Sequence, residues 1–204
     1  MFFESLLLAT GNRHKYEEFL ELLPREHVGK LIFASEVSLR GGYPDVEETG
    51  VTYAMNAVLK AQAWALASGL PSLADDSGIE VEALSWRPGI YSARAIEGSD
   101  ADRNHWLLTQ MKGQSDRRAH FVAAVALAIP EKWTIVCEGV VSGFLGEGET
   151  GVHGFGYDPL FIPDGYEISF GELPSSVKNK ISHRARAVDS LFAILKEVKA
   201  GYQL

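Results

Sequence analysis

The stretch 6–24, LLLATGNRHKYEEFLELLP, predicts the first folding unit of the chain. Its apolar start, Leu6 to Ala9, is typical of a short buried strand and ends at the turn residues TGN. Beyond the turn, four apolar residues have the spacing of one helix face: Tyr16, Phe19, Leu20 and Leu23. Pro24 then ends the helix. The stretch therefore predicts a strand, a tight turn and a helix.

Later segments alternate between helical and extended patterns. The alanine-rich segment 52–67 predicts a helix, and 70–74 predicts a short strand ending at a turn formed by DDSG. Segments 120–129 and 133–145 predict a long antiparallel pair around PEK. A last helix carries Ile181 and later apolar residues on one stripe. Because helices and strands alternate early and long strands pair late, we expect an α/β fold with a mixed sheet.

Composition limits the classes of protein to which this chain can belong. Its 204 residues are 46% hydrophobic, which favours a single domain over 1–204. A net charge of −8 argues against a nucleic acid polymer as partner. The single cysteine, Cys137, excludes an internal disulfide and favours a reducing compartment. Since no stretch reaches the length of a membrane span, we expect a cytoplasmic protein without membrane contact.

Asp75 and Asp76 pose the main chemical question, because neighbouring carboxylates repel and are costly to bury without a partner. One interpretation is a Mg²⁺ site that they form with Glu47 or Glu48 from the segment PDVEETG. The alternative is a turn that one aspartate caps while the other is solvated. The apolar segment before the pair favours a site at the end of a strand.

Two other segments have both a functional and a purely structural interpretation. Thr10–Lys15 follows a strand and opens a helix, so its backbone N–H groups and Lys15 suit phosphate. However, Thr and Asn are also ordinary helix caps. The segment GFGYDP presents Phe155, Tyr157 and Asp158, which suit a flat ligand or simply pack an aromatic turn.

Basic residues cluster near the start of the last helix. Five of them occur within nine residues: Lys178, Lys180, His183, Arg184 and Arg186. In a chain of net charge −8, this cluster suggests a nearby anion or carbonyl acceptor. A solvated basic helix face is the alternative.

Taken together, the motifs resemble the inosine triphosphate pyrophosphatase family. Six segments carry the resemblance in order: LATGNRHKYEE, EETGVTYAMNAVLKA, LADDSGIEVEAL, PGIYSARAIEG, HGFGYDPLF and KNKISHRARA. The resemblance spans Leu6 to Ala187 and implies an elongated mixed sheet flanked by helices, in two lobes with a cleft between them. It also implies a homodimer that hydrolyses ITP, dITP and XTP, non-canonical purine nucleoside triphosphates, to monophosphate and pyrophosphate.

The resemblance further implies a set of site residues. Glu47 and Asp76 would bind Mg²⁺, and Asp76 would also accept the proton of the attacking water. The expected substrate-binding residues are Thr10, Gly11, Asn12, Arg13, His14, Lys15, Ser77, Phe155, Gly156, Tyr157, Asp158, Lys178, His183 and Arg184. Within this set, 10–15 would bind the triphosphate and 155–158 would bind the base.

Two other functions use some of the same residues. A Mg²⁺-dependent phosphatase would share the paired aspartates and the phosphate turn, but it would release orthophosphate instead of pyrophosphate. A regulatory module would bind nucleotides without turnover, and its acidic residues would only cap turns. The products of the reaction therefore discriminate between the three functions.

Overall fold

The computed structural model describes residues 1–39 and 42–201. The chain forms two compact units. The first contains Met1–Asp76, Ala123–Gly139 and Arg184–Leu204, and the second contains Ser77–Val122 and Val140–His183. Within the described ranges, no helix has both the length and the apolar character needed to cross a membrane. The single domain over 1–204 stays a prediction.

The described residues form a sheet and five α-helices. The strands are β1 (Phe3–Leu8), β2 (Val28–Phe33), β3 (Ser72–Val81), β4 (Arg87–Pro88), β5 (Arg118–Ala128), β6 (Thr134–Leu145) and β7 (Phe161–Pro163). The helices are α1 (Arg13–Leu22), α2 (Tyr53–Ser68), α3 (Asp100–Gln110), α4 (Ser175–Ile181) and α5 (His183–Gly201). Short 3₁₀ turns lie at Ala34–Glu36, Glu82–Leu84, Gly89–Arg94 and Asp158–Leu160.

The sheet is mixed, as the element pattern predicts. Its strands follow the order β2, β1, β3, β5, β6, β7, and β4 pairs with β3. β1 pairs in parallel with β2 and β3, whereas β4 and β7 are antiparallel to β3 and β6. The predicted α/β fold with a mixed sheet flanked by helices is confirmed.

The strand, turn and helix predicted for 6–24 are present as β1 and α1. Tyr16, Phe19 and Leu23 are buried in the apolar core of the first unit. Leu20 is 42% exposed, so the buried stripe of α1 is narrower than the spacing predicts. The sequence reasoning missed β2, whose apolar pattern is interrupted by Gly29 and Lys30.

The predicted turn at DDSG is wrong, because β3 continues through it from Ser72 to Val81. Both aspartates are buried, and consecutive side chains of a strand point to opposite faces of the sheet. Each aspartate therefore has its own surroundings. Lysine and arginine partners of the two aspartates explain why a strand can carry two adjacent carboxylates here.

Two other predictions concern the second half of the chain. The predicted strand pair is confirmed as β5 and β6, which are joined by residues 129–133 and include the buried Cys137. The prediction of a single last helix is wrong, because this part of the chain forms two helices: α4 ends at Ile181 and α5 begins at His183. Ser182 between them has an extended backbone (φ −65°, ψ 158°), which interrupts the helical hydrogen bonds.

The second unit depends on a close backbone approach at Gly151. Its φ is +81°, and a Cβ atom there would lie 1.9 Å from the carbonyl oxygen of Gly171. The backbone N–H of His153 donates to the same carbonyl at 2.8 Å. A side chain at position 151 would therefore push apart two segments that hydrogen bonds hold together.

We expect Gly151→Ala to lower the free energy of unfolding by roughly 2–5 kcal/mol, because it adds a steric clash to a strained φ. Gly148→Ala is the matched control, since a Cβ atom at Gly148 would meet nothing within 4 Å. That control should stay within about 0.5 kcal/mol of wild type. Urea unfolding measures both variants, and equal effects would contradict the assigned backbone contact.

Candidate active site

Asp75 is the most enclosed carboxylate of the first unit, with 2% of its surface exposed. Its Oδ2 atom accepts from the Lys15 ammonium at 3.0 Å. The same oxygen accepts from Nε and Nη2 of Arg184 at 3.1 and 3.0 Å. One carboxylate on β3 is thus held between a cation from α1 and a cation from α5.

Glu18 extends this arrangement into a buried ion network. Its Oε2 atom accepts from Nη1 of Arg184 at 2.5 Å, and Arg184 itself is only 2% exposed. Two acidic and two basic side chains are therefore packed together: Glu18, Asp75, Lys15 and Arg184. A charge removed from such a group leaves its partner buried and uncompensated, which is costly.

The network shifts the pKa values of two of its members. Burial alone would raise the pKa of Asp75, but the charges of Lys15 and Arg184 outweigh it and hold that pKa well below its ordinary value. Burial lowers the pKa of Lys15, with the Asp75 charge opposing this effect. Asp75 is therefore an ionised carboxylate at neutral pH.

Asp76, the next residue of β3, has different partners. Its Oδ2 atom accepts from Nδ2 of Asn56 at 3.0 Å, and its Oδ1 atom lies 3.7 Å from the Lys60 ammonium. Lys60 also donates to Glu48 at 2.6 Å. Burial raises the pKa of Asp76, with Lys60 and Asn56 opposing the shift. Asp76 and Glu48 therefore form an acidic group in which the Lys60 ammonium lies between the two carboxylates.

The turn before α1 is a well-capped helix start. Asn12 is the N-cap, and its side chain accepts from the backbone N–H of Lys15 at 3.2 Å. Thr10 Oγ1 accepts from the backbone N–H of Asn12 at 3.1 Å. A Cβ atom at Gly11 would meet nothing within 4 Å, so the backbone is accessible there. Phosphate binding by 10–15, including the exposed Arg13 and His14, stays a prediction.

A second polar centre lies in the second unit around Asp158, which is 2% exposed. Its Oδ2 atom accepts from the backbone N–H of Phe155 at 2.8 Å and from the Lys178 ammonium at 2.6 Å. A Cβ atom at Gly154 would lie 2.0 Å from this oxygen, which explains the glycine there. The aspartate therefore fixes both the GFGYDP loop and the lysine.

Aromatic rings surround this centre. The Lys178 ammonium lies 4.9 Å from the centre of the Phe155 ring, within the range of a cation–π contact. Tyr157 donates its hydroxyl to the Ser92 carbonyl at 2.9 Å, and burial raises the pKa of Tyr157 to about 12. The His183 ring stacks on Phe121 with ring centres 4.7 Å apart.

The acidic group of the first unit suits Mg²⁺. Its donors, on Asp76 and Glu48, are carboxylate oxygens, which are the ligands that Mg²⁺ prefers. Within the described ranges, no cluster of three or more His, Cys, Asp or Glu side chains could hold a metal by itself. That is compatible with Mg²⁺, which commonly takes one or two carboxylates together with waters and substrate phosphates.

The metal role of Glu47 stays a prediction. Its side chain is exposed, whereas Glu48 is half-buried and shares Lys60 with Asp76. The contacts thus make Glu48 the second candidate. Ser77 follows Asp76 on β3 and is the first residue of the second unit.

The comparisons with known proteins agree over nearly the whole chain. The Ham1 family profile matches residues 6–194. This chain belongs to the Ham1 family. Among Ham1-like sequences, a dITP/XTP pyrophosphatase of Deinococcus deserti is 46% identical over 193 residues, covering 94% of this chain and 89% of that protein. A protein of the same name from Deinococcus radiodurans is 54% identical over 148 residues, covering 72% and 74%.

Solved Ham1 structures share the fold. The Ham1 protein of Staphylococcus aureus has a TM-score of 0.81 at 38% identity, covering 95% of this chain and 98% of that one. A HAM1 protein of Coxiella burnetii has a TM-score of 0.82 at 37% identity, with the same coverage of 95% and 98%. The family resemblance drawn from the six sequence motifs is confirmed.

Sequence reasoning missed three polar residues of the first unit in this Ham1 family member. Asn56 and Lys60 lie four residues apart, so they share one face of α2, and both contact Asp76. That spacing within an alanine-rich helix was an available signal. The sequence offered no comparable signal for Glu18, because an acidic residue on a helix is ordinarily exposed to solvent.

We expect Arg184→Met to lower the free energy of unfolding by about 3–5 kcal/mol, because it leaves Asp75 and Glu18 buried without their shared cation. Arg186→Met is the matched control on the same helix, where the side chain is exposed. It should change stability by less than about 0.5 kcal/mol. Thermal and urea unfolding measure both, and a stable Arg184→Met protein would refute the network's structural role.

Proposed function

We propose that this protein hydrolyses the non-canonical purine nucleoside triphosphates ITP, dITP and XTP to the monophosphate and pyrophosphate. The observation that carries the proposal is the likeness to the Deinococcus deserti dITP/XTP pyrophosphatase over 94% of the chain. The two polar centres support it, since one offers carboxylates and cations and the other offers aromatic rings beside a carboxylate. We further propose that the enzyme acts in the cytoplasm as a homodimer.

The segment Thr10–Lys15 is proposed to bind the triphosphate. The start of α1 carries backbone N–H groups and the positive end of the helix dipole, both of which attract phosphate oxygens. Gly11 leaves the backbone accessible, and Lys15 adds a cation that Asp75 already orients. Arg13 and His14 extend from the same turn and would add positive or polar contacts.

Asp76 is proposed to accept the proton of the attacking water. Its Oδ2 atom is fixed by Asn56, which leaves Oδ1 as the oxygen for a proton. Asp76 and Glu47, or its neighbour Glu48, would hold Mg²⁺, and Ser77 would contact the substrate. The metal, when bound, would neutralise phosphate oxygens and orient water. Lys60, beside Asp76, would moderate the repulsion between the two acidic side chains.

The base is proposed to bind at Phe155–Asp158, with Phe155 stacking on its face. Hypoxanthine and xanthine carry a carbonyl at position 6, whereas adenine carries an amino group. A donor such as His183 or Lys178 would pair with that carbonyl. Facing an amino group, it would stay unpaired at a cost of about 1–3 kcal/mol. Arg184 already donates to two carboxylates, so we assign it to holding Asp75 and, through it, Lys15.

The test of this function is a panel of ITP, dITP, XTP, ATP, GTP and dATP with Mg²⁺, with pyrophosphate and orthophosphate measured separately. We expect pyrophosphate as the product and a kcat/KM at least tenfold higher for the first three substrates than for ATP and dATP, in line with the unpaired-donor cost. GTP shares the 6-carbonyl, so its rate shows whether the 2-amino group of guanine is rejected separately. Orthophosphate as the product would favour a phosphatase instead. Binding without turnover would favour a regulatory module.

Three carboxamide variants test the roles of the acidic residues. We expect Asp76→Asn to lower kcat at least 100-fold with little change in unfolding temperature, because it removes the proton acceptor. Glu47→Gln and Glu48→Gln form a matched pair of neighbours with the same chemical change. The variant that loses a metal ligand should need a higher Mg²⁺ concentration for half-maximal activity, and the other should not. If neither does, both metal assignments fail.

A further inference from the structure

Asp100 lies outside every motif that the sequence singled out, yet it contacts the GFGYDP loop. Its Oδ2 atom accepts from the backbone N–H of Gly156 at 2.7 Å. Asp100 is the first residue of α3, and both residues belong to the second unit. A carboxylate from another part of the chain thus binds the backbone in the middle of this loop.

Capping of α3 does not require Asp100. Ser99 is the N-cap, and its hydroxyl accepts from the backbone N–H of Asp102 at 3.2 Å. Asp102 in turn accepts from the backbone N–H of Ser99 at 2.8 Å, which completes a capping box. Since these two residues satisfy the helix start, the Gly156 contact of Asp100 is a separate task.

Arg103 orients the carboxylate of Asp100. Its Nη2 atom donates to Oδ1 of Asp100 at 2.5 Å, and its Nη1 atom donates to the Gly98 carbonyl at 2.7 Å. The guanidinium is therefore fixed at two points, one of them on the backbone. With Oδ1 bound in this way, Oδ2 of Asp100 is directed to Gly156.

The loop needs such a fixed point because it contains two flexible residues. Gly154 and Gly156 have φ values of +73° and +63°, and glycine loses the most conformational freedom when it is ordered. The neighbouring N–H of Phe155 is bound by Asp158, and the Tyr157 hydroxyl by Ser92. Asp100 supplies the contact at Gly156, between these two anchors.

We propose that Asp100 is a positioning residue that fixes the Gly154–Asp158 loop in the conformation that binds the base. It does not touch the substrate; it acts through the backbone of Gly156 and so on the direction of the Phe155 ring. The inference rests on the proposed function in so far as base binding is assigned to this loop. The contact itself can be tested without any substrate.

The experiment compares Asp100→Ala, Asp100→Asn and the matched control Asp102→Ala on the full chain. Exchange of the Gly156 amide, followed by NMR, reports the contact directly. The kcat/KM ratio of dITP to dATP, with KM and kcat separated, reports base recognition. Asp102→Ala weakens the start of α3 and leaves the Gly156 contact in place, so it measures what a merely structural change does.

We expect Asp100→Ala to speed Gly156 exchange about tenfold and to lower the dITP-to-dATP ratio about tenfold, mainly through a higher KM for dITP, because a charge-assisted hydrogen bond is lost. Asp100→Asn keeps an acceptor oxygen and should retain most of both properties. Asp102→Ala should lower the unfolding temperature without changing either.

Unchanged Gly156 exchange in Asp100→Ala would overturn the inference, and so would an unchanged substrate ratio. Equal effects in Asp102→Ala would overturn it as well, since helix stability would then explain them. A wild-type enzyme without any preference for dITP would refute the proposed function alone. In that case, the Gly156 exchange still decides whether Asp100 holds the loop.

Discussion

The neutralisation of Asp75 by Lys15 and Arg184 is the interaction on which the first unit depends. A carboxylate with 2% exposure is tolerated in an apolar core only with charged partners, and here these come from α1 and α5. The same contacts bind both helices to β3 and fix the orientation of Lys15. The same ion network therefore holds the elements of the unit together and orients the Lys15 ammonium in the first turn of α1.

The two adjacent aspartates differ because a strand directs them to opposite faces. Asp75 meets two cations and stays ionised, whereas Asp76 meets an amide and one shared lysine and has a raised pKa. Their mutual repulsion, which from the sequence suggested a metal as the missing partner, is relieved for Asp75 by side chains of the chain itself. Asp76 and Glu48 share the Lys60 ammonium, and the Mg²⁺ proposed above would bind in this acidic group.

Local patterns allowed the prediction of β1, α1 and the β5–β6 pair, since hydrophobic spacing and turn residues determine them within a few residues. The continuation of β3 through DDSG could not be predicted in this way. The two carboxylates are buried there with charged partners that are distant in sequence: Arg184, which binds Asp75, is 109 residues away. The motif residues themselves were found through the family resemblance. The roles of Asn56, Lys60 and Glu18, which lie within those motifs, and of Asp100, which lies outside them, were not predicted, because they depend on tertiary contacts.

The two units contain the same arrangement of charged side chains in different surroundings. In each, a lysine is bound by a buried aspartate: Lys15 by Asp75 in the first and Lys178 by Asp158 in the second. Such a pair orients its ammonium before any ligand arrives, so little reorganisation is needed when negative charge or a polar group approaches. The cost of burying each pair is offset within the fold by further hydrogen bonds, from Arg184 in one unit and from the Phe155 amide in the other. Loss of either aspartate should therefore leave its lysine buried without a countercharge, even though the apolar clusters that hold the strands consist of other residues.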